Sequence, residues 1–278
     1  MNSIMKNYFF IIIIIFVVLF ILDYLKKDKE TFENFNDVYV KIYNKVHNDK
    51  EFINYNLNKI KTYFNKKNPV ILETGCKTGN TTKLLNNKNY NLICSDDSSN
   101  MLHQFRINNP KIKFVESNLL NINQFNKNKF DYILALNYSF IMNSFKEQKL
   151  LLKNFSYWLK KNGLLFINCF DMNKIDPAPR NYSQYYKKNG LKHAMTYFDG
   201  FRHDGVWKNT NNKNIKIYKE KIIFKKTNNI FEKEHKMYFM NYNKIQKLCK
   251  KLGFKFIDFI DYKIINVDFI GLCIFKKI

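Results

Sequence analysis

Residues 69–85 read PVILETGCKTGNTTKLL, and they constrain the fold more than any other stretch of the chain. A short apolar run ends in an acid, Glu73, then in a loop holding Gly75 and Gly79, then in a helix start. Strand, acid, glycine loop and helix, in that order, open the ligand crevice of a doubly wound α/β domain. Glycine lets backbone approach a ligand where a side chain would collide. The helix that follows aims unpaired N–H groups at the same place.

A second apolar run, residues 90–95, ends in Asp96. That is roughly 20 residues past the first motif, the spacing at which such folds set an acid against a ribose. Asp97 and Ser98 read as caps of a helix carrying Met101, Leu102 and Phe105. Two acids, Glu73 and Asp96, at the ends of adjacent strands suit a ligand with a positive charge and a ribose diol.

These motifs resemble the class I S-adenosylmethionine-dependent methyltransferases. Residues 73–79, ETGCKTG, follow that family's first motif except at Lys77, where glycine is usual. Residues 95–102, SDDSSNML, resemble its second strand tip and helix, and residues 114–119, FVESNL, its third strand, with Asn118 in place of an Asp. Residues 130–137 resemble the fourth strand, residues 159–167 the turn and fifth strand, and Leu252-Gly253-Phe254 the approach to the sixth. The likeness spans residues 35–278 in the family's order. It implies a Rossmann-like, doubly wound, seven-stranded, mainly parallel sheet whose final strand runs antiparallel. It also implies S-adenosyl-L-methionine as cofactor, held by Glu73, Gly75, Cys76, Gly79, Asp96, Asp97, Met101, Asn118, Leu119 and Asn137. Lys77 strains that loop if its position needs a positive φ, at about 1 kcal/mol or more. Asn118 keeps an oxygen that can accept from an adenine amino group.

Methyl transfer from a sulfonium needs proximity, alignment and sometimes a base. It needs no metal and no fixed signature, so the sequence names the cofactor better than the acceptor. Tyr138 and His203 are the catalytic candidates. Asn137-Tyr138-Ser139-Phe140 resembles the Asn-Pro-Pro-aromatic motif of base-directed amino-methyltransferases, without either proline. His203 has Asp199 and Asp204 nearby in sequence to orient it. The acceptor is read as a small molecule, a lipid or a protein. RNA is the alternative, and a non-catalytic membrane scaffold resting on Lys77 is another.

Charge weighs on that choice. Lys and Arg number 47 against 23 Asp and Glu, a net charge of +24. The excess is mostly Lys, spread along a chain rich in Asn, Ile, Phe and Tyr, so it reads as bulk composition more than a nucleic-acid footprint. The five cysteines include no Cys-x-x-Cys pair, so no metal site is indicated; several read as small buried hydrophobes, and the set suits a reducing compartment.

Tyr8–Leu22 is continuously apolar. With its flanks it reaches the roughly 20 residues that a spanning helix needs. No small-residue cleavage site follows, and Lys26, Lys27 and Lys29 come after it. Residues 1–25 therefore read as an uncleaved transmembrane anchor and residues 26–34 as a linker. The lysines place the remaining chain on the cytosolic side.

In the 35–278 domain, residues 35–67 read as two lid helices broken near 47–49, with Tyr39 and Tyr43 as lid residues. Strands are expected near 69–73, 91–95, 112–116, 130–136 and 163–170, with helices near 79–87, 98–107 and 144–161. Residues 172–241 read as a substrate-cap insertion, aperiodic at first and then a β-hairpin at 215–224 and 230–240. A helix and two strands complete the chain.

Overall fold

The computed structural model describes residues 39–47, 49–87, 89–171, 184–188, 191–265 and 267–278. The chain divides into two compact units, Met1–Ile42 and Tyr43–Ile278. Only 39–42 of the first unit are described, and they are helical. The expected anchor, residues 1–25, and the linker, 26–34, lie outside the described residues. Among the described residues no helix is long and apolar enough to cross a membrane.

The second unit opens with helical residues 43–46, followed by α1 (Lys50–Lys61). Asp49 caps α1 by accepting from Phe52 N at 3.0 Å. The expected break near 47–49 is there. The alternation then runs β1 (Val70–Thr74), α2 (Asn80–Leu85), β2 (Asn91–Asp96), α3 (Ser99–Asn108), β3 (Lys113–Glu116), β4 (Phe130–Ala135), α4 (Phe145–Trp158) and β5 (Leu159–Phe170). Ser98 caps α3, as its sequence predicts, and Ser144 with Glu147 forms a capping box on α4. After the insertion come α5 (Tyr242–Lys251), β11 (Phe254–Tyr262) and β12 (Val267–Lys277).

Seven strands form one sheet in the order β11-β12-β5-β4-β1-β2-β3. The pairs among β1 to β5 are parallel, and β12 runs antiparallel to both β5 and β11. Every residue of β4 is buried, which is why parallel strands read as continuous apolar runs. On α4, Leu151, Leu152, Phe155 and Trp158 are buried, and the Trp158 indole N–H donates to Ile122 O at 2.8 Å. At about 2 kcal/mol per large apolar side chain, this face fixes the helix on the sheet.

The insertion holds more structure than the sequence predicts. The hairpin is present as β9 (Ile215–Phe224) and β10 (Ile230–Tyr238), but it belongs to a five-stranded antiparallel sheet with β6 (Gln184–Lys188), β7 (Leu191–Tyr197) and β8 (Phe201–Asn209). Residues 172–183 lie outside the described residues.

The cysteine reading needs correcting in part. Cys76, Cys94 and Cys249 are free and buried, but Cys169 on β5 and Cys273 on β12 form a disulfide. Antiparallel pairing of these strands places Cys169 opposite Gly271, two residues from Cys273. A separation of 104 residues hides that neighbourhood from the sequence.

Candidate active site

β1 is flanked by β4 on one side and β2 on the other, so the connections diverge at its carboxyl end. Open α/β sheets place their ligand crevice at that switch point. A cleft of about 130 Å³ opens there, lined by Glu73, Gly75, Cys76, Lys77, Asn80, Asn137 and Tyr138, with Tyr43 and His47 from the preceding helical turn.

Two glycines hold the loop. Gly75 has φ +65°, and a Cβ on it would lie 2.5 Å from the Ser139 Cβ. Gly79 has φ +87°, and a Cβ there would meet Asn109 and Phe105. Between them Lys77 also takes a positive φ, +51°, the strain expected where glycine is usual. Its backbone is pinned: Lys77 N donates to Asp96 Oδ2 at 2.9 Å. Ser98 N donates to the other oxygen at 3.0 Å, so Asp96 ties the first loop to the start of α3.

Glu73 is 3 % exposed and accepts from the Thr82 hydroxyl at 2.6 Å. Burial pushes its carboxyl up to about 7, against the pull of that hydrogen bond. Burial also raises the Asp96 carboxyl, against the two N–H donors.

The predicted cofactor residues separate into two groups. Glu73, Gly75, Cys76 and Asn137 line the cleft. Gly79, Asp96, Asp97, Met101, Asn118 and Leu119 are not on that lining. Gly79 is buried at the N-cap of α2, Asp97 is exposed and Met101 half-buried. Asn118 is exposed with its side-chain oxygen taken by Leu120 N at 3.0 Å, and Leu119 O accepts from Asn154 at 2.8 Å.

Of the catalytic candidates, Tyr138 lines the cleft and stacks on Phe170, with ring centroids 5.3 Å apart. Burial pushes its hydroxyl up to about 12. His203 is fully buried, and its expected partners are not its partners. Asp204 pairs with Arg202 at 2.9 Å, while His203 Nε2 lies 3.0 Å from Glu220 Oε2.

Glu220 was not legible in the sequence. It is 2 % exposed on β9, and His203 of β8, His235 of β10 and His47 all turn Nε2 toward its carboxylate. Burial alone would raise the carboxyl, but the hydrogen bonds from His203, His235 and His47 hold it well below the usual range. Burial lowers the His47 imidazole despite Glu220. Among the described residues no cluster of His, Cys, Asp and Glu has the arrangement of a metal site.

A family model described as a methyltransferase domain matches residues 71–163, the span from β1 to the start of β5 that carries the cleft. Residues 71–163 thus carry a methyltransferase domain. Solved methyltransferases share the fold across nearly the whole chain. An S-adenosylmethionine-dependent methyltransferase from Clostridium acetobutylicum is 17% identical with a TM-score of 0.66, over 89% of this chain and 99% of its own. The amino pentose methyltransferase CalS10 from Micromonospora echinaspora is 12% identical with a TM-score of 0.61, over 82% and 91%. The sugar N-methyltransferase KedS8 from Streptoalloteichus is 10% identical with a TM-score of 0.60, over 85% and 92%. Curated proteins give no significant sequence match.

The cleft of this methyltransferase domain has the chemistry to hold S-adenosylmethionine. Asn80, the first residue of α2, lines the cleft, and its Nδ2 is buried with no hydrogen-bond partner. Gly75 brings backbone close, and Glu73 supplies an acid. When bound, the cofactor supplies a methyl group on a positively charged sulfur.

The methyltransferase has a second cavity of about 720 Å³, which shares Phe269 and Ile270 with the cofactor cleft. Phe170, Phe239, Tyr242 and Phe259 supply aromatic walls, and Asp171, Asp261, Lys213 and Lys263 supply charge.

Proposed function

We propose that this methyltransferase methylates a small polar molecule bound in the second cavity, and that it works at the cytosolic face of a membrane. The observation that carries the acceptor reading is the common wall, Phe269 and Ile270, between that cavity and the cofactor cleft. A cavity of about 720 Å³ falls within the roughly 300–1,000 Å³ of small-molecule pockets. Aromatic walls with two acids and two lysines suit an acceptor carrying an amine and further polar groups. The support for a membrane anchor is the apolar run Tyr8–Leu22 with lysines after it.

The acceptor test incubates the full chain with methyl-tritiated cofactor and separate pools of polar metabolites, RNA, lipid vesicles and protein. Amino sugars are natural first compounds, because two of the structurally similar proteins are an amino pentose methyltransferase and a sugar N-methyltransferase. Label in the polar metabolite pool is expected. Label confined to RNA would replace this reading with the RNA one. For the anchor, alkaline carbonate should leave the full chain in the membrane pellet and release a chain lacking residues 1–30.

A further inference from the structure

One half of the Cys169–Cys273 disulfide stands in the wall of the second cavity. Cys169 lines that cavity of about 720 Å³, whereas Cys273 is fully buried and off its lining. Cys169 lies opposite Gly271 and Cys273 opposite Ile167, so the two meet diagonally across antiparallel strands. Their Cα atoms are 6.4 Å apart, inside the range that a disulfide spans. Seven consecutive residue pairs join β5 to β12 around the bridge, a ladder that stays paired when the bridge opens. The same cavity carries Lys213 and Lys263 with Asp171 and Asp261. These charges complement a small molecule that bears carboxylates and an amine.

We propose that Cys169 is a thiol-exchange site, at which a small thiol carrying carboxylates and an amine, of the glutathione class, enters the second cavity and opens the disulfide. The inference goes beyond the proposed methyl acceptor and rests on the proposed cytosolic placement, because that compartment supplies the thiol. Disulfides found on that side are mostly catalytic or redox-sensing rather than structural, and the other three cysteines of the chain are free. The entering thiol loses its proton, and its thiolate attacks the sulfur of Cys169, the half of the bridge on the cavity wall. A new S–S bond forms between the thiol and Cys169, the Cys169–Cys273 bond breaks, and the electron pair leaves on Cys273, which takes up the proton. A second thiol then attacks the sulfur of the first, releasing Cys169 as a thiol and the ligand as its own disulfide. Two thiols are oxidised, and the bridge gains two electrons. In the intermediate the mixed disulfide fills the cavity proposed for the acceptor, so adduct and acceptor compete for one space.

The test incubates the purified full chain in detergent micelles with graded mixtures of glutathione and glutathione disulfide, quenches in acid, alkylates free thiols and locates each modification by peptide mass. The bridge is expected in the oxidised mixtures, a glutathione adduct on Cys169 in the intermediate ones, and two alkylated thiols in the reducing ones. Lys213→Gln combined with Lys263→Gln should slow opening by glutathione several-fold and leave opening by uncharged mercaptoethanol unchanged, because the lysines attract the carboxylates. A bridge that never forms, a bridge that resists the most reducing mixture, or an adduct on Cys273 in place of Cys169 would overturn the proposal. Equal slowing with both thiols, or no slowing with either, would overturn the assigned ligand class. Failure here is distinguishable from failure of the cytosolic placement, which is read separately by protease access to the chain in sealed membrane vesicles.

Discussion

At the scale of the residue, the loop between β1 and α2 is a set of close approaches. Gly79 combines φ +87° with a Cβ position 2.2 Å from Asn109 Nδ2 and 2.8 Å from Phe105. Gly79→Ala therefore adds backbone strain to a clash with a buried ring, at about 2–3 kcal/mol. Thermal unfolding should show a drop of roughly 5–10 °C for a unit of this size. Glu73 gives a pH signature. Its carboxyl moves from 4.5 to about 7 on folding because it is buried. The folded state then binds the proton more tightly than the unfolded state, so stability falls as pH rises from about 4.5 to about 7, by about 3 kcal/mol at most. Glu73→Gln should flatten that decline in a melting-temperature series. It should also abolish a rise in S-adenosylmethionine affinity through pH 7, because only the ionised acid attracts the cation. Gly75, Gly79 and Glu73 are legible in the sequence because chemistry fixes their types. The side-chain placement of Lys77 over Tyr43 is not, because it depends on a helical turn more than 30 residues away.

At the scale of the element, β1 to β5 and their helices could be read because buried parallel strands are apolar throughout and Ser98 and Ser144 mark helix starts. β6, β7 and β8 could not. In β8 the buried positions are Phe201, His203 and Gly205, so an inward face that includes a histidine and a glycine shows no apolar alternation. The glycine is needed because a Cβ at Gly205 would lie 2.4 Å from the Tyr218 hydroxyl. The same physics hid Glu220, whose buried neighbours on β9 are Tyr218 and Ile222. Its three histidines come from β8, β10 and the segment before α1; the sheet register brings the first two to it, and the packing of that segment brings His47. Glu220→Gln should cost about 2–4 kcal/mol, because a buried carboxylate with charge-assisted hydrogen bonds is replaced by a group that accepts less well. The change reads as a lower denaturation midpoint with an unaltered denaturant slope.

At the scale of the whole molecule, one sheet serves two cavities. The carboxyl end of β1 supplies the cofactor cleft, and the ends of β5 and β12 with the insertion supply the larger cavity beside it. Phe269 and Ile270 of β12 line both, so the antiparallel strand stands between the two cavities. The fold class was legible from the order of the motifs, and the five-stranded sheet of the insertion was not. Asp96 joins the scales: its carboxylate closes the loop on Lys77 and caps the approach to α3. The most direct measurement is calorimetric titration of S-adenosylmethionine into the full chain and into Asp96→Ala. Micromolar, one-to-one binding by the wild type, weakened about a hundredfold in Asp96→Ala, is the predicted result. Equal affinity in the two forms, or no binding by a folded wild type, would contradict the assignment of this cleft.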